Sequence, residues 1–93
     1  MAEVRLARRA VKDLDSLQAK SARNVIVAIE KLGADPNDKN LDVKALVGHR
    51  PWRRLRVGNY RVVFRLSEGK KVLLVGRVID RKALHEAVQS LSD

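Results

Sequence analysis

The sequence predicts an α+β fold in which an N-terminal strand and a helical hairpin pack on an antiparallel sheet. Apolar residues recur every three or four positions in the first third of the chain, which is the helical period. In the second half, apolar and charged residues alternate instead, which is the period of a strand. Gly58-Asn59 and residues 67–70 interrupt that alternation with turn chemistry. The predicted element order is therefore β-α-α-β-β-β-α.

The first strand and the helical hairpin follow from the apolar spacing. Val4 and Leu6 predict a short first strand. The first helix carries one apolar stripe, made of Ala7, Ala10, Val11, Leu14 and Leu17. After a polar break, we expect Ser21 to be the N-cap of the second helix. Gly33 is the expected C-terminal cap, and the turn residues 35–38 close the hairpin.

The sheet is assigned to the second half of the chain. Residues 41–49 are expected to form an irregular connection. Strands are predicted at residues 52–57, 60–66 and 72–79, and the last should be central because it is apolar on both faces. A short terminal helix is predicted from the stripe of Ala83, Leu84, Ala87, Val88 and Leu91.

The strand register predicts that one face of the sheet is basic and partly open. Residues 43–67 contain no acidic residue and seven cations, six of which are arginine. A surface that only needs to be soluble has little reason to prefer arginine, whereas the planar guanidinium fork suits phosphate. Four arginines fall on the face away from the helical hairpin, namely Arg54, Arg56, Arg61 and Arg65.

Composition narrows the class of protein further. The 93 residues are 45% hydrophobic and carry a net charge of +9, which is typical of a globular chain that attracts polyanions. The absence of cysteine excludes disulfides and thiolate metal sites. Charges in every turn of residues 1–14 predict that no signal peptide is present, and no apolar run approaches a bilayer span. We expect a single domain, residues 1–93, that is soluble and cytoplasmic.

Four segments of the chain match the pattern of a known family. They are residues 10–17 (AVKDLDSL), 46–48 (LVG), 52–64 (WRRLRVGNYRVVF) and 78–82 (VIDRK). On these segments the chain resembles the RelE/ParE superfamily of bacterial toxins from toxin–antitoxin pairs, and the predicted fold is RelE-like. RelE-like members cut mRNA in the ribosomal A site, whereas ParE-like members poison DNA gyrase. In both branches the resemblance implies a co-expressed antitoxin that covers the working face.

The resemblance also implies a reaction and the residues that perform it. In the cutting branch the RNA 2′-hydroxyl attacks its own neighbouring phosphate, with no metal and no cofactor. Arg61 and Arg81 match the arginines that stabilise the phosphate, and Arg54 falls beside the scissile phosphate. Because arginine stays protonated, proton transfer is expected from His85, although the usual tyrosine is absent and a solvated position is the alternative. The residues expected to bind the RNA are Arg53, Arg56, Arg65 and Lys82.

Several residues have a structural alternative to a functional role. Trp52 is expected to cap the core rather than to stack on a base. His49 is expected to be structural or to position the substrate. For Arg77, in the most buried strand, we expect an ion pair with Asp80 or Glu30.

Three functions remain open at this point. The leading one is a ribosome-dependent mRNA endonuclease toxin in a hetero-oligomer with its cognate antitoxin, acting on mRNA and the ribosome and not on membranes. The second is a gyrase inhibitor, which the missing tyrosine and the lack of lysine in the sheet's basic cluster favour. The third is a non-toxic chain that acts only in an antitoxin-bound repressor complex.

Overall fold

The computed structural model of the chain describes residues 1–89 and 91. The strands are β1 (Glu3–Leu6), β2 (Val43–Ala45), β3 (Arg53–Val57), β4 (Tyr60–Leu66) and β5 (Val72–Asp80). The helices are α1 (Arg8–Asp15), α2 (Ala19–Ala34) and α3 (Leu84–Gln89), with 3₁₀ turns at Glu68–Lys70 and Arg81–Ala83. The predicted α+β class is confirmed, and β2 is an additional short strand inside the segment expected to be irregular. Within the described residues, no helix has both the length and the apolar character needed to cross a membrane.

The five strands form one sheet in the order β1-β5-β4-β3-β2. β1 pairs with β5 in parallel, and every other neighbouring pair is antiparallel. β5 therefore lies between two strands, as its apolar sequence on both faces predicts. The hairpin between β3 and β4 turns at Gly58, whose φ of 57° lies in the left-handed region that suits glycine.

The helical hairpin covers one face of the sheet. The side chains buried at this contact are Ala10, Leu14, Val25, Ile29 and Leu32 from the helices and Leu55, Val62, Phe64, Leu73, Val75 and Val78 from the sheet. They match the two predicted periods, since helical residues three or four apart and strand residues two apart share a face. These residues form the larger hydrophobic core of the described chain.

A second core lies on the opposite face, beneath α3. Its buried members are Trp52, Val63, Ile79 and Ala87. Trp52 lies against Gly76, where a Cβ atom would stand only 2.8 Å from the indole Cζ3. The structure therefore places Trp52 in the core, as expected. α3 and Trp52 cover part of the face that the sequence predicted to be partly open.

The predicted ends of α2 are wrong at both termini. The helix begins at Ala19, two residues before Ser21, and the side chain of its N-cap residue Gln18 makes no capping bond. Gly33 lies inside the helix and is buried rather than forming the cap. A Cβ atom there would stand 2.7 Å from Val4 Cγ2, so this glycine lets α2 pack closely on β1. Close packing, and not turn geometry, explains the glycine.

The predicted ion-pair partners of Arg77 are also wrong. Its Nε and Nη2 donate to Asp13 Oδ2 and Oδ1 at 2.8 and 3.2 Å. The backbone N–H of Val78 donates to the same carboxylate at 2.9 Å. This is possible because β1 pairs with β5 only as far as Val75, which leaves the rest of that edge open to α1.

Candidate nucleic-acid interface

All four arginines predicted for the open face project from the side of the sheet opposite the helical hairpin, namely Arg54, Arg56, Arg61 and Arg65. Arg56 and Arg61 are direct partners across β3 and β4, so their side chains leave the sheet on the same side. Arg54 lies two residues before Arg56 and therefore projects from that face too. Lys44 of β2 stands opposite Arg54 and extends the positive row to the edge of the sheet.

Arg61 is half-buried and held against the hairpin turn. Its Nη1 donates to the carbonyl oxygens of Gly58 and Tyr60, both at 3.0 Å. Burial lowers the pKa of Arg61 below its usual value, and repulsion from neighbouring guanidinium groups lowers it further. The three neighbours responsible are Arg56, Arg54 and Arg81. We call these three residues and Arg61 the arginine cluster.

Arg81 joins the cluster from the end of β5. Its backbone N–H donates to Asn59 O at 2.9 Å, which ties the segment after β5 to the β3–β4 turn. Asp80 Oδ1 accepts a hydrogen bond from the backbone N–H of Lys82 at 2.8 Å and so shapes the 3₁₀ turn. Arginines that are 27 positions apart in the chain (Arg54 and Arg81) thereby contribute to one positive field.

Arg54 is anchored by an acidic residue that the sequence interpretation did not assign to the site. Its Nη1 donates to the carbonyl oxygen of Asp42 at 2.9 Å and to Asp42 Oδ1 at 3.0 Å. The hydrogen bond from Arg54 is the main cause that lowers the pKa of the Asp42 carboxyl. The sequence signal that could have pointed to Asp42 is its position, directly before residues 43–67, which contain no acidic residue.

A cleft of about 370 Å³ opens beside Arg81. Its lining residues are Leu46, Val47, His49, Arg81, Leu84, His85 and Val88. Two histidines and one arginine therefore line a common space together with four apolar residues. The side chain of His85 is exposed, and His49 is half-buried. The arrangement places a guanidinium-bearing side chain, which can stabilise negative charge, beside two histidines.

Comparison with known proteins identifies the family. Residues 4–91 match the family model described as ParE toxin of type II toxin-antitoxin system, parDE. The chain belongs to this toxin family. The resemblance to the RelE/ParE superfamily that the sequence segments indicated is therefore confirmed.

Individual relatives of this toxin are RelE proteins. Toxin RelE3 of Methanocaldococcus jannaschii is 29% identical over 86 residues, which cover 90% of this chain and 96% of the relative. The toxin is also similar to a solved RelB–RelE antitoxin–toxin complex from Methanococcus jannaschii, with 25% identity, a TM-score of 0.73 and coverage of 88% and 95% of the two chains. A RelE–RelB complex from Pyrococcus horikoshii OT3 gives 26% identity, a TM-score of 0.72 and coverage of 86% and 94%. The RelE-like fold is thus confirmed.

The other three predicted RNA-binding residues of the toxin, Arg53, Arg65 and Lys82, lie outside the arginine cluster. Arg65 lies over the Trp52 ring, with its guanidinium carbon 5.7 Å from the ring centroid. Arg53 stands opposite Phe64 in the register and so projects from the face that carries the helical hairpin. Lys82 is exposed and follows Arg81 directly. Their assignment to RNA binding stays a prediction.

The sequence interpretation expected His49 to be structural or to position the substrate, but it did not foresee that His49 and His85 line the same cleft. His49 lies in the loop between β2 and β3, where its backbone N–H donates to Leu46 O at 3.0 Å. That turn brings the imidazole to the cleft shared with His85, 36 positions later in the chain. No spacing rule links a loop histidine to a histidine on a terminal helix, so the sequence offered no signal for the pair.

Proposed function

We propose that this toxin is a ribosome-dependent mRNA endonuclease that cleaves RNA by attack of the 2′-hydroxyl, without a metal ion. The observation that carries the proposal is the arginine cluster beside a cleft that holds two histidines. Polyanion binding needs only the positive charge, whereas RNA cleavage also needs groups that move protons. The toxin has both kinds of group in adjacent positions.

The arginine cluster supplies the electrostatic part of the reaction. Attack of the 2′-oxygen on phosphorus produces a transition state with extra negative charge on the phosphate oxygens. Arg61 and Arg81 donate to those oxygens, and Arg54 binds beside them. Guanidinium groups fixed in advance stabilise this charge without reorganising, which is where such sites gain most of their rate. Relief of the repulsion among the arginines also favours phosphate binding.

The histidines supply the proton transfers. The 2′-hydroxyl loses its proton as its oxygen bonds to phosphorus, and the P–O5′ bond breaks as the leaving oxygen gains a proton. The products are a 2′,3′-cyclic phosphate and a 5′-hydroxyl. In the proposal His85 transfers one of these protons and His49 the other, because both line the cleft next to Arg81.

The proposed protein partner is a cognate antitoxin. Two solved structures to which the toxin is similar are complexes of RelE with the antitoxin RelB. A chain with a net charge of +9 is complementary to an acidic partner segment. Such a segment would compete with RNA for the arginine cluster and keep the toxin inactive in the cytoplasm. The whole chain, residues 1–93, is proposed to act as a single toxin domain in this hetero-oligomer.

Gyrase inhibition is the second candidate, and a specific observation favours it. The family model that matches residues 4–91 is the ParE toxin. The tyrosine expected of the cutting branch is also absent from the C-terminal segment. Under this alternative the arginine cluster would bind its target without cleaving RNA.

The deciding experiment maps mRNA 5′ ends after induction of the toxin, with and without translating ribosomes. We expect cuts that appear only inside translated frames. Replacing both Arg61 and Arg81 with alanine should abolish growth arrest while leaving antitoxin binding mostly intact. Arg23→Ala, an exposed position on α2, is the control for loss of positive charge and should stay toxic.

Two results would contradict the proposal. One is full toxicity of the double variant of Arg61 and Arg81. The other is intact mRNA together with accumulation of cleaved DNA bound to gyrase, which would establish the second candidate instead. His85→Ala then separates the chemistry from binding, because it should retain ribosome binding and lose cleavage.

A further inference from the structure

We propose that Asp42 is a positioning residue that holds Arg54 in place against the RNA phosphate. This inference rests on the nuclease function proposed above and extends it to a residue outside the arginine cluster. Asp42 lies just before β2 and is 12 positions from Arg54 in the chain. Its role is to orient a group that touches the substrate, not to react itself.

The hydrogen bonds define how Asp42 acts. Arg54 Nη1 donates to two oxygens of Asp42, the backbone carbonyl at 2.9 Å and Oδ1 at 3.0 Å. The backbone oxygen also accepts from Arg56 N at 2.9 Å, which fixes Asp42 to β3. A guanidinium group has five N–H donors, and Asp42 engages only Nη1. Within the described residues, Nε and Nη2 of Arg54 are left to face a ligand.

Burial indicates that Arg54 is held rather than mobile. Its side chain is only 15% exposed, compared with 47% for Asp42. Fixing a long arginine side chain costs conformational entropy. Because the bond to Asp42 already orders Arg54 in the free toxin, this entropy is not lost again on RNA binding. Arg54 is thus oriented in the free toxin.

The negative charge of Asp42 weakens RNA binding, although its hydrogen bond to Arg54 favours catalysis. Its carboxylate offsets part of the repulsion among the arginines, as shown by its upward influence on the pKa of Arg61. The same carboxylate repels an incoming phosphate chain. Loss of Asp42 should therefore strengthen nonspecific RNA binding while it weakens catalysis. A residue with a merely structural role would not separate these two quantities.

The test compares three variants of the full-length toxin in cleavage on translating ribosomes and in binding to a single-stranded RNA oligonucleotide. Asp42→Ala removes both the charge and the side-chain acceptor, and we expect kcat to fall about tenfold while RNA binds about two- to threefold more tightly. Asp42→Asn keeps an oxygen that can accept from Arg54, so kcat should stay within about threefold of wild type. Glu30→Gln makes the same charge change on α2 and should leave kcat unchanged.

A double-mutant cycle with Arg54 isolates the positioning effect. In an Arg54→Ala background, Asp42→Ala should have no further effect on kcat, because the group it orients is gone. Should Asp42→Ala fail to fold, Asp42→Glu takes its place: it keeps the charge, moves the acceptor by one methylene and should also lower kcat.

The outcomes distinguish this inference from the function on which it rests. Wild-type cleavage together with an equally active, folded Asp42→Ala variant overturns the positioning role and leaves the nuclease function standing. An equal loss of kcat on Asp42→Ala in the presence and absence of Arg54 overturns it as well. Failure of the wild-type toxin to cleave mRNA on translating ribosomes overturns both proposals.

Discussion

At the scale of single residues, the contact between Trp52 and Gly76 organises the second core. Trp52 is 5% exposed, and its ring lies where a side chain at position 76 would otherwise project. Arg65 covers the ring from outside. The indole Nε1 finds no acceptor in the described part of the chain, so packing rather than hydrogen bonding holds the ring. Aromatic burial of this kind contributes a large share of a small core's stability.

Gly76→Ala is expected to destabilise the toxin by about 1–3 kcal/mol, because the rigid indole ring cannot move away from the added methyl group. Urea unfolding monitored by Trp52 fluorescence measures the change. Gly33→Ala is the matched comparison, since its Cβ would meet the exposed Val4 side chain on the edge strand β1. It should cost less, because alanine in a helix is about 1 kcal/mol more favourable than glycine. Equal unfolding midpoints for wild type and Gly76→Ala would contradict the prediction.

At the scale of elements, Asp13 joins α1 to the central strand. Among the described residues, β5 has no strand partner beyond Val75 on the side of β1. Asp13 fills part of this gap by accepting hydrogen bonds from the backbone N–H of Val78 and from the Arg77 side chain. A carboxylate on a helix thereby takes over acceptor positions that a longer β1 would supply. This anchor also fixes the strand whose end carries Arg81.

Asp13→Ala is expected to lower the free energy of unfolding by about 2–4 kcal/mol. The substitution leaves the part-buried guanidinium of Arg77 without its carboxylate and the N–H of Val78 without its acceptor. Thermal or urea unfolding measures the loss. Asp15→Ala, at an exposed position of the same helix, is the control and should stay within about 0.5 kcal/mol of wild type. Similar effects of the two substitutions would show that Asp13 is not the anchor.

At the scale of the whole molecule, the two faces of the sheet are covered to different extents. The helical hairpin covers one face with the larger core. On the other face, α3 and Trp52 cover only part of the surface and leave the arginine cluster beside the cleft. A net charge of +9 spread over 93 residues attracts polyanions from any direction, and the cluster concentrates that attraction on one region. The larger core and the arginine cluster therefore lie on opposite faces of the sheet.

The salt dependence of RNA binding should report this concentration of charge. Arg56→Ala, at an exposed position of β3, removes one proposed phosphate contact and should reduce the slope of log affinity against log salt by about 0.7. Arg23→Ala removes a charge on α2 and should leave the slope nearly unchanged. Fluorescence anisotropy with a short single-stranded RNA measures both slopes. Equal reductions would indicate binding to the overall charge rather than to the arginine cluster.

The sequence by itself determined the elements and the faces they present. Apolar periodicity identified α1, α2, β3, β4 and β5, because the period of burial follows directly from helix and strand geometry. The same strand register predicted the common face of Arg54, Arg56, Arg61 and Arg65. Four short segments also sufficed to indicate the toxin superfamily.

Only the tertiary structure decided which distant residues meet. The bonds of Asp42 to Arg54 and of Asp13 to Arg77 join segments 12 and 64 positions apart, and the shared cleft of His49 and His85 joins a loop to α3. Periodicity predicts which face of a helix or strand is buried. It does not predict which other segment of the chain packs against that face or bonds to it. That choice depends on where β1 stops and how α1 and α3 pack, which the whole chain settles at once.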